Sequence, residues 1–256
     1  MKYVIMAIAA LFLLGIFAFG KLDSSERMRI GAILVLLMAA AVFWSGFEQA
    51  GSSLNLFADR YTDRSVSAFR FEIPTGWFQA LNPIFIIALA PLFASLWVRL
   101  AQRNLDLSIP GKFVAGLFQL ALGFLVIAGA ARIAVAGGKA QAGWLIATYL
   151  LHTTGEICLS PVGLSAVTKL APPRFVGQMM GMWFLATSLG NLMAGLFAGE
   201  MSGDNASQMP ATFTFIAMQA LIAGAVLLVF LRPMKRLLSG SWKCAPRDRQ
   251  PCLPPQ

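Results

Sequence analysis

The sequence predicts an all-α, polytopic membrane protein. Apolar residues make up 58% of the 256 positions and charged residues only 12%, about half the charged share of an ordinary soluble domain. The apolar residues gather into runs of about twenty or more, the length that crosses a bilayer as a helix. The charged residues stand between and after those runs, as membrane-flanking charge does. That placement also excludes nucleic acid as the explanation of the net charge of +9.

Seven runs satisfy the length rule: residues 3–20, 28–57, 77–98, 112–136, 141–168, 175–199 and 209–231. Lys2 before an apolar core gives the first run the outline of a secretory leader. No small-x-small cleavage site stands ahead of the charged stretch from Lys21 to Arg27, so a retained helix is expected. If the second run starts in the cytoplasm, fourteen Lys and Arg lie on the cytoplasmic side, from Lys21, Arg27 and Arg29 to the tail's Arg249. The outer side holds Arg60, Arg64, Arg70 and Lys139, with Lys2 at an outer N-terminus. The positive-inside rule selects this orientation and a cytoplasmic C-terminus. Arg132 falls near the outer end of the fourth run, where its side chain can snorkel.

The chemistry available to an enzyme is sparse. There is one histidine, His152, and the three cysteines show no ligand spacing. No nucleotide-binding loop, metal cluster or nucleophile elbow occurs, so neither catalysis, a metal nor a cofactor is expected. The tail from Ser239 onward is basic, polar and proline-rich, a composition that reads as disordered.

Polar residues interrupt the apolar runs at four places. Glu48-Gln49 follows Trp44 by one helical turn, so Trp44 and Glu48 share a face. Gln79 and Asn82-Pro83 form the second, where a proline is expected to free backbone carbonyls at membrane depth. His152, Glu156 and Ser160 make the third, spaced i, i+4, i+8 with Pro161 next, and Pro161 is expected to break the helix. Trp183 and Thr187, again one turn apart, are the fourth. Structural roles compete at each place. Glu48 could pair with an arginine of another helix, Asn82-Pro83 could be only a kink, and His152 reads first as a packed residue. The paired glycines Gly177/Gly181 and Gly195/Gly199 read as close helix packing. Intramembrane carboxylates are expensive and are functional candidates by default, which singles out Glu156 and Glu48.

Three stretches carry a family resemblance: FWSGFEQAGSSL (43–54), FQALNPIFIIALAPLFASLW (78–97) and GEICLSPVGLSAVTKLAPPRFVGQMMGMWFLATSLGN (155–191). In this order they resemble the proton-dependent oligopeptide transporters of the major facilitator superfamily, matching that family's helices seven, eight, and ten to eleven. The resemblance runs from about Arg27 to Arg232. It implies a linker transmembrane helix at 1–20, a C-terminal six-helix transporter half at 21–232 and a basic cytoplasmic tail at 233–256. The family's Glu-x-x-Glu-Arg motif of the first helix and Phe-Tyr-x-x-Ile-Asn motif of the fifth are not present in this sequence. The chain is thus expected to be the second half of a transporter, from a truncated or split gene or a mis-assigned start.

The resemblance implies roles for particular residues. Glu156 would receive the substrate's free amino group, with Asn82 hydrogen-bonding near the same end. Trp183, Phe184 and Trp44 would line the pocket, with the hydroxyls of Ser160 and Thr187 beside them. Glu48, with Gln49 next to it, would belong to a proton-linked salt-bridge set that gates the outer side. The implied function is one half of a proton-coupled di- and tripeptide symporter working by alternating access, with the proton as coupling ion. The implied partners are the bilayer of a bacterial inner membrane, a di- or tripeptide, protons, and a first half or a second copy. Inactivity alone is expected, since one half supplies one wall of the cavity. Two other readings fit the seven runs: a non-functional fragment, and a seven-helix receptor or interaction protein.

Overall fold

Among the described residues each long apolar run becomes helical because a bilayer offers backbone groups no partners, and the helix satisfies them within the segment. The computed structural model describes residues 20, 22–66, 70–201, 206–231 and 234. The expected helix at 3–20 and nearly all of the tail lie outside the described residues. The helices are α1 (Ser24–Phe47), α2 (Ser53–Tyr61), α3 (Gly76–Gln79), α4 (Leu81–Gln102), α5 (Ile109–Val135), α6 (Ala142–Leu170), α7 (Val176–Met201) and α8 (Met209–Val229).

Among the described residues, five helical segments are long and apolar enough to cross a membrane: 24–61, 76–102, 109–135, 173–199 and 209–229. The sixth long helix is α6. Its 29 residues extend about 43 Å at 1.5 Å per residue, ample for a crossing. Its apolar character is diluted by His152, Glu156, Ser160 and several threonines.

α5 is the hub, packed along α6 on one side and α8 on another, while α1 lies against α7 and closes over α6 and α8. The core between them is fully buried Phe43, Phe113, Phe124, Phe213, Leu117 and Leu120. In lipid such a core is held by close packing rather than by exclusion of water. Helices α5 and α6 approach closely where two glycines face each other: a Cβ on Gly116 would stand 2.9 Å from the Gly155 carbonyl oxygen. α4 is peripheral. No residue of it is fully buried, and it rests on α6.

The helix ends follow from local sequence. Glu26 Oε2 accepts the Asp23 N–H at 3.2 Å, the back-bond of a capping box that starts α1. Pro110 sits in the first turn of α5, where its missing N–H costs nothing. Among the described residues, four two-residue strands tie the loops that follow α2 and α5. β1 (Thr62–Asp63) pairs parallel with β4 (Ala140–Gln141), and β2 (Ser65–Val66) pairs antiparallel with β3 (Phe71–Glu72). Arg64 staples this hairpin, 2.8 Å from Glu72 and donating at 2.8 Å to the Ile73 carbonyl.

Two proline expectations are corrected. Pro161 does not break its helix, for α6 runs through it without interruption. The helix packs tightly on both sides of the proline, at Gly155 against Gly116 and at Gly163 against Trp183, and a proline is tolerated in a transmembrane helix among such neighbours. Pro83 does not free carbonyls at membrane depth. It is the third residue of α4, and the first N–H groups of a helix have no internal partner in any case. The break lies one turn earlier, between α3 and α4 at Ala80. The 28–57 run is also divided: α1 ends at Phe47 and a 3₁₀ turn covers Glu48–Gly51 before α2 starts.

Candidate functional site

The break after α1 and the start of α4 place polar side chains against the middle of α6. Asn82 Nδ2 donates to Glu156 Oε2 at 2.9 Å and lies 3.2 Å from Thr153 Oγ1. Thr153 donates to the Tyr149 carbonyl at 2.7 Å. The Tyr149 hydroxyl donates to the Ala50 carbonyl, at 3.2 Å, inside the 3₁₀ turn that carries Glu48. One polar chain therefore runs from the break after α1, down a stripe of α6, to the head of α4. Both Asn82 and Glu156 are only half-buried, so the carboxylate is oriented by an amide yet open to a ligand. A carboxylate held this way can accept hydrogen bonds from a cationic group, and such bonds strengthen where little water competes.

Gln49 is enclosed completely. Its amide nitrogen, Nε2, donates to the carbonyls of Ser45 at 3.3 Å and of Ala194 on α7 at 3.2 Å. Its Oε1 accepts from the Ser53 hydroxyl at 2.5 Å. The amide thus clamps α1, the 3₁₀ turn, α2 and α7 together. Glu48, beside it, is half-buried and shows no hydrogen bond or ion pair with the other described residues.

The other expected pocket residues divide. Trp183 is 2% exposed; its ring fills the notch over Gly163 and meets Phe113 edge-on at 6.5 Å. Phe184, its neighbour, is 59% exposed. Trp44 is half-buried, edge-on to Phe43 and Phe47, with its Nε1 enclosed and unpartnered. Ser160 is half-buried, and the Thr187 hydroxyl donates at 2.8 Å to the Phe184 carbonyl of its own helix. His152 turns away from Glu156. Its ring is enclosed over Gly123 and 4.7 Å from the Phe124 ring.

Sequence reasoning passed over Tyr149 and Thr153. The signal for them was present: with Glu156 they follow an i, i+4, i+7 spacing, one face of one helix. Among the described residues no cluster of His, Cys, Asp and Glu could hold a metal ion.

Comparison with known proteins gives a consistent picture. A family model described as "POT family" matches residues 3–214. The chain is 44% identical over 241 residues to the peptide transporter YePEPT of Yersinia enterocolitica subsp. palearctica, covering 93% of this chain and 47% of that protein. It is 31% identical over 220 residues to a di-/tripeptide transporter of Lactococcus lactis subsp. cremoris, covering 85% and 43%. Among solved structures, a peptide transporter POT in complex with sulfate superposes with a TM-score of 0.84 at 35% identity, over 92% of this chain and 46% of the other. A POT family transporter in complex with 5-aminolevulinic acid superposes with a TM-score of 0.80 at 25% identity, over 91% and 47%. The chain spans about half the length of the relatives it matches, and those relatives are transporters rather than enzymes. The family model over residues 3–214 and the matched relatives together show that this protein belongs to the POT family of membrane transporters.

Proposed function

We propose that the chain forms the C-terminal half of a proton-coupled di- and tripeptide symporter, with Glu156 as the anchor for the peptide's amino group. The observation that supports this most is the Asn82–Glu156 hydrogen bond at 2.9 Å, which fixes a carboxylate on an open face at mid-helix. Relatives named as peptide and di-/tripeptide transporters support the substrate class. An amide donor orients the carboxylate without neutralising it, so the anionic charge remains available to an ammonium. Phe184 and Trp44 offer apolar contact without demanding one side-chain shape, which suits a site taking many peptides.

Coupling would run through Glu48. It stands on the same 3₁₀ turn whose Ala50 carbonyl is bonded to Tyr149, four residues before Asn82's partner Thr153 on α6. Proton arrival at Glu48 would release a cationic partner on the other half and let the halves rock. A half-bundle facing lipid with Glu48, Asn82 and Glu156 uncovered is costly, so activity is expected only with a first half in place. The loop charges support a C-terminus on the cytoplasmic side, and the proposed membrane is a bacterial inner membrane. The test is uptake of a labelled dipeptide by this chain co-expressed with the first six helices of a close relative. Glu156→Gln should abolish uptake, and Glu48→Gln should leave binding but remove the dependence on a proton gradient. Proton-driven uptake by the Glu48→Gln variant would refute the coupling role.

A further inference from the structure

A cavity of about 640 Å³ opens between the end of α4, the start of α5 and the end of α6. Its depth is apolar, walled by Ala90, Phe93 and Trp97 on α4 and by Ile157 and Pro161 on α6. Its rim is charged. Lys112 lies with its ammonium 4.5 Å over the Trp97 ring and 2.9 Å from Asp106, its side chain 14% exposed. Lys169, exposed at the end of α6, completes the rim. Two ammonium groups against one carboxylate leave a single surplus positive charge.

The cavity is separate from the Glu156 site. Ser165, which lines it, follows Glu156 by about two and a half helical turns, so the two project from opposite sides of α6. The cavity thus opens away from the carboxylate, at the level where α5 begins and α6 ends. That level is the boundary of the membrane-crossing segments. Apolar depth beneath a cationic rim at this height matches an amphiphile with an anionic head. It does not match a peptide, whose ammonium would find only an aspartate that is already paired.

We propose that this cavity binds a monoanionic phospholipid, with its phosphodiester between Lys112 and Lys169 and one acyl chain between Phe93 and Ile157. The chain fills the space by which α4 stands off from α5. Because α4 carries Asn82 at its other end, occupancy also steadies the helix that orients Glu156.

Native mass spectrometry of the full chain, released from micelles doped equally with phosphatidylglycerol and phosphatidylcholine, tests this. Phosphatidylglycerol is expected to be retained preferentially. Lys169→Gln should lower its retention about five-fold, the worth of one lysine near a lipid surface. Ala94→Trp, at an exposed position on the cavity wall, should remove it by filling the apolar depth, with circular dichroism confirming that both variants remain folded. Equal retention of the two lipids overturns the proposal, as does a preference that neither variant changes. Displacement of phosphatidylglycerol by soluble glycerol phosphate at equal concentration would assign the rim to a free phosphate and overturn the lipid.

Discussion

Replacing Asn82 with alanine isolates the amide that orients Glu156. Asn82 donates to the carboxylate at 2.9 Å and approaches Thr153 at 3.2 Å, so the variant removes two polar contacts and no apolar packing. A hydrogen bond to a charged group contributes about 1.5–3 kcal/mol when well shielded. Asn82 is half-buried, which argues for the lower end, about 1.5 kcal/mol, or roughly ten-fold in affinity. The freed Glu156 side chain would sample other rotamers, so the loss should fall on ligands that use the carboxylate. Isothermal titration of the reassembled transporter with a free-amino dipeptide and with its N-acetyl form distinguishes this from general damage. The free-amino ligand should lose about ten-fold and the N-acetyl ligand should change little. An equal loss for both ligands, or none for either, would refute the reasoning that Asn82 acts through Glu156.

Three further outcomes follow from the packing and the loops. Gly163→Ala would place a Cβ 2.1 Å from the Trp183 ring; such overpacking costs about 1–3 kcal/mol, and a lower thermal midpoint with altered tryptophan fluorescence is expected, partly rescued by Trp183→Phe. Gln49→Leu strips the buried partner from Ser53 and from the Ala194 carbonyl; at about 1–3 kcal/mol per orphaned group, hydrogen exchange should speed up at the junction of α1, α2 and α7. In the loop, the Ser65 hydroxyl and then its amide, both donating to Asp63, hold that carboxyl below its ordinary value. The turn from β1 into β2 therefore gains stability from Asp63 above the unfolded pKa of about 3.9, and loses it as pH falls through the lower folded value; Ser65→Ala should return the carboxyl titration, followed by carbon NMR, toward the ordinary value.

Much of the bundle was legible because in lipid a helix is nearly the sole solution for an apolar run, and length alone marks it. The five crossing segments in the described residues and α6 all coincide with predicted runs. Breaks were less legible, because proline signals a lost hydrogen bond but not what replaces it. Pro161 sits inside an unbroken α6, and Pro83 is harmless since α4 begins at Leu81. The interruption at Glu48–Gly51 contains no proline. It is held by Gln49 reaching Ala194, 145 residues away, which no local pattern reveals. The Asn82–Glu156 neighbourhood was anticipated through the family resemblance. Thr153 and Tyr149, which join that pair to the turn after α1, were missed because threonine and tyrosine in an apolar run resemble ordinary packing until their partners are seen. Trp183 and Phe184, adjacent in sequence, face a glycine notch and open space respectively, a distinction that depends on helix rotation rather than residue type.

The central claim is that Glu156, oriented by Asn82, holds a peptide's amino group in a transporter completed by a first half. The most direct measurement is uptake of a labelled dipeptide into cells expressing this chain, a relative's first half, both together, or both with Glu156→Gln. The account predicts uptake only when both halves are present and Glu156 is intact. Uptake that persists with glutamine at position 156 would contradict it.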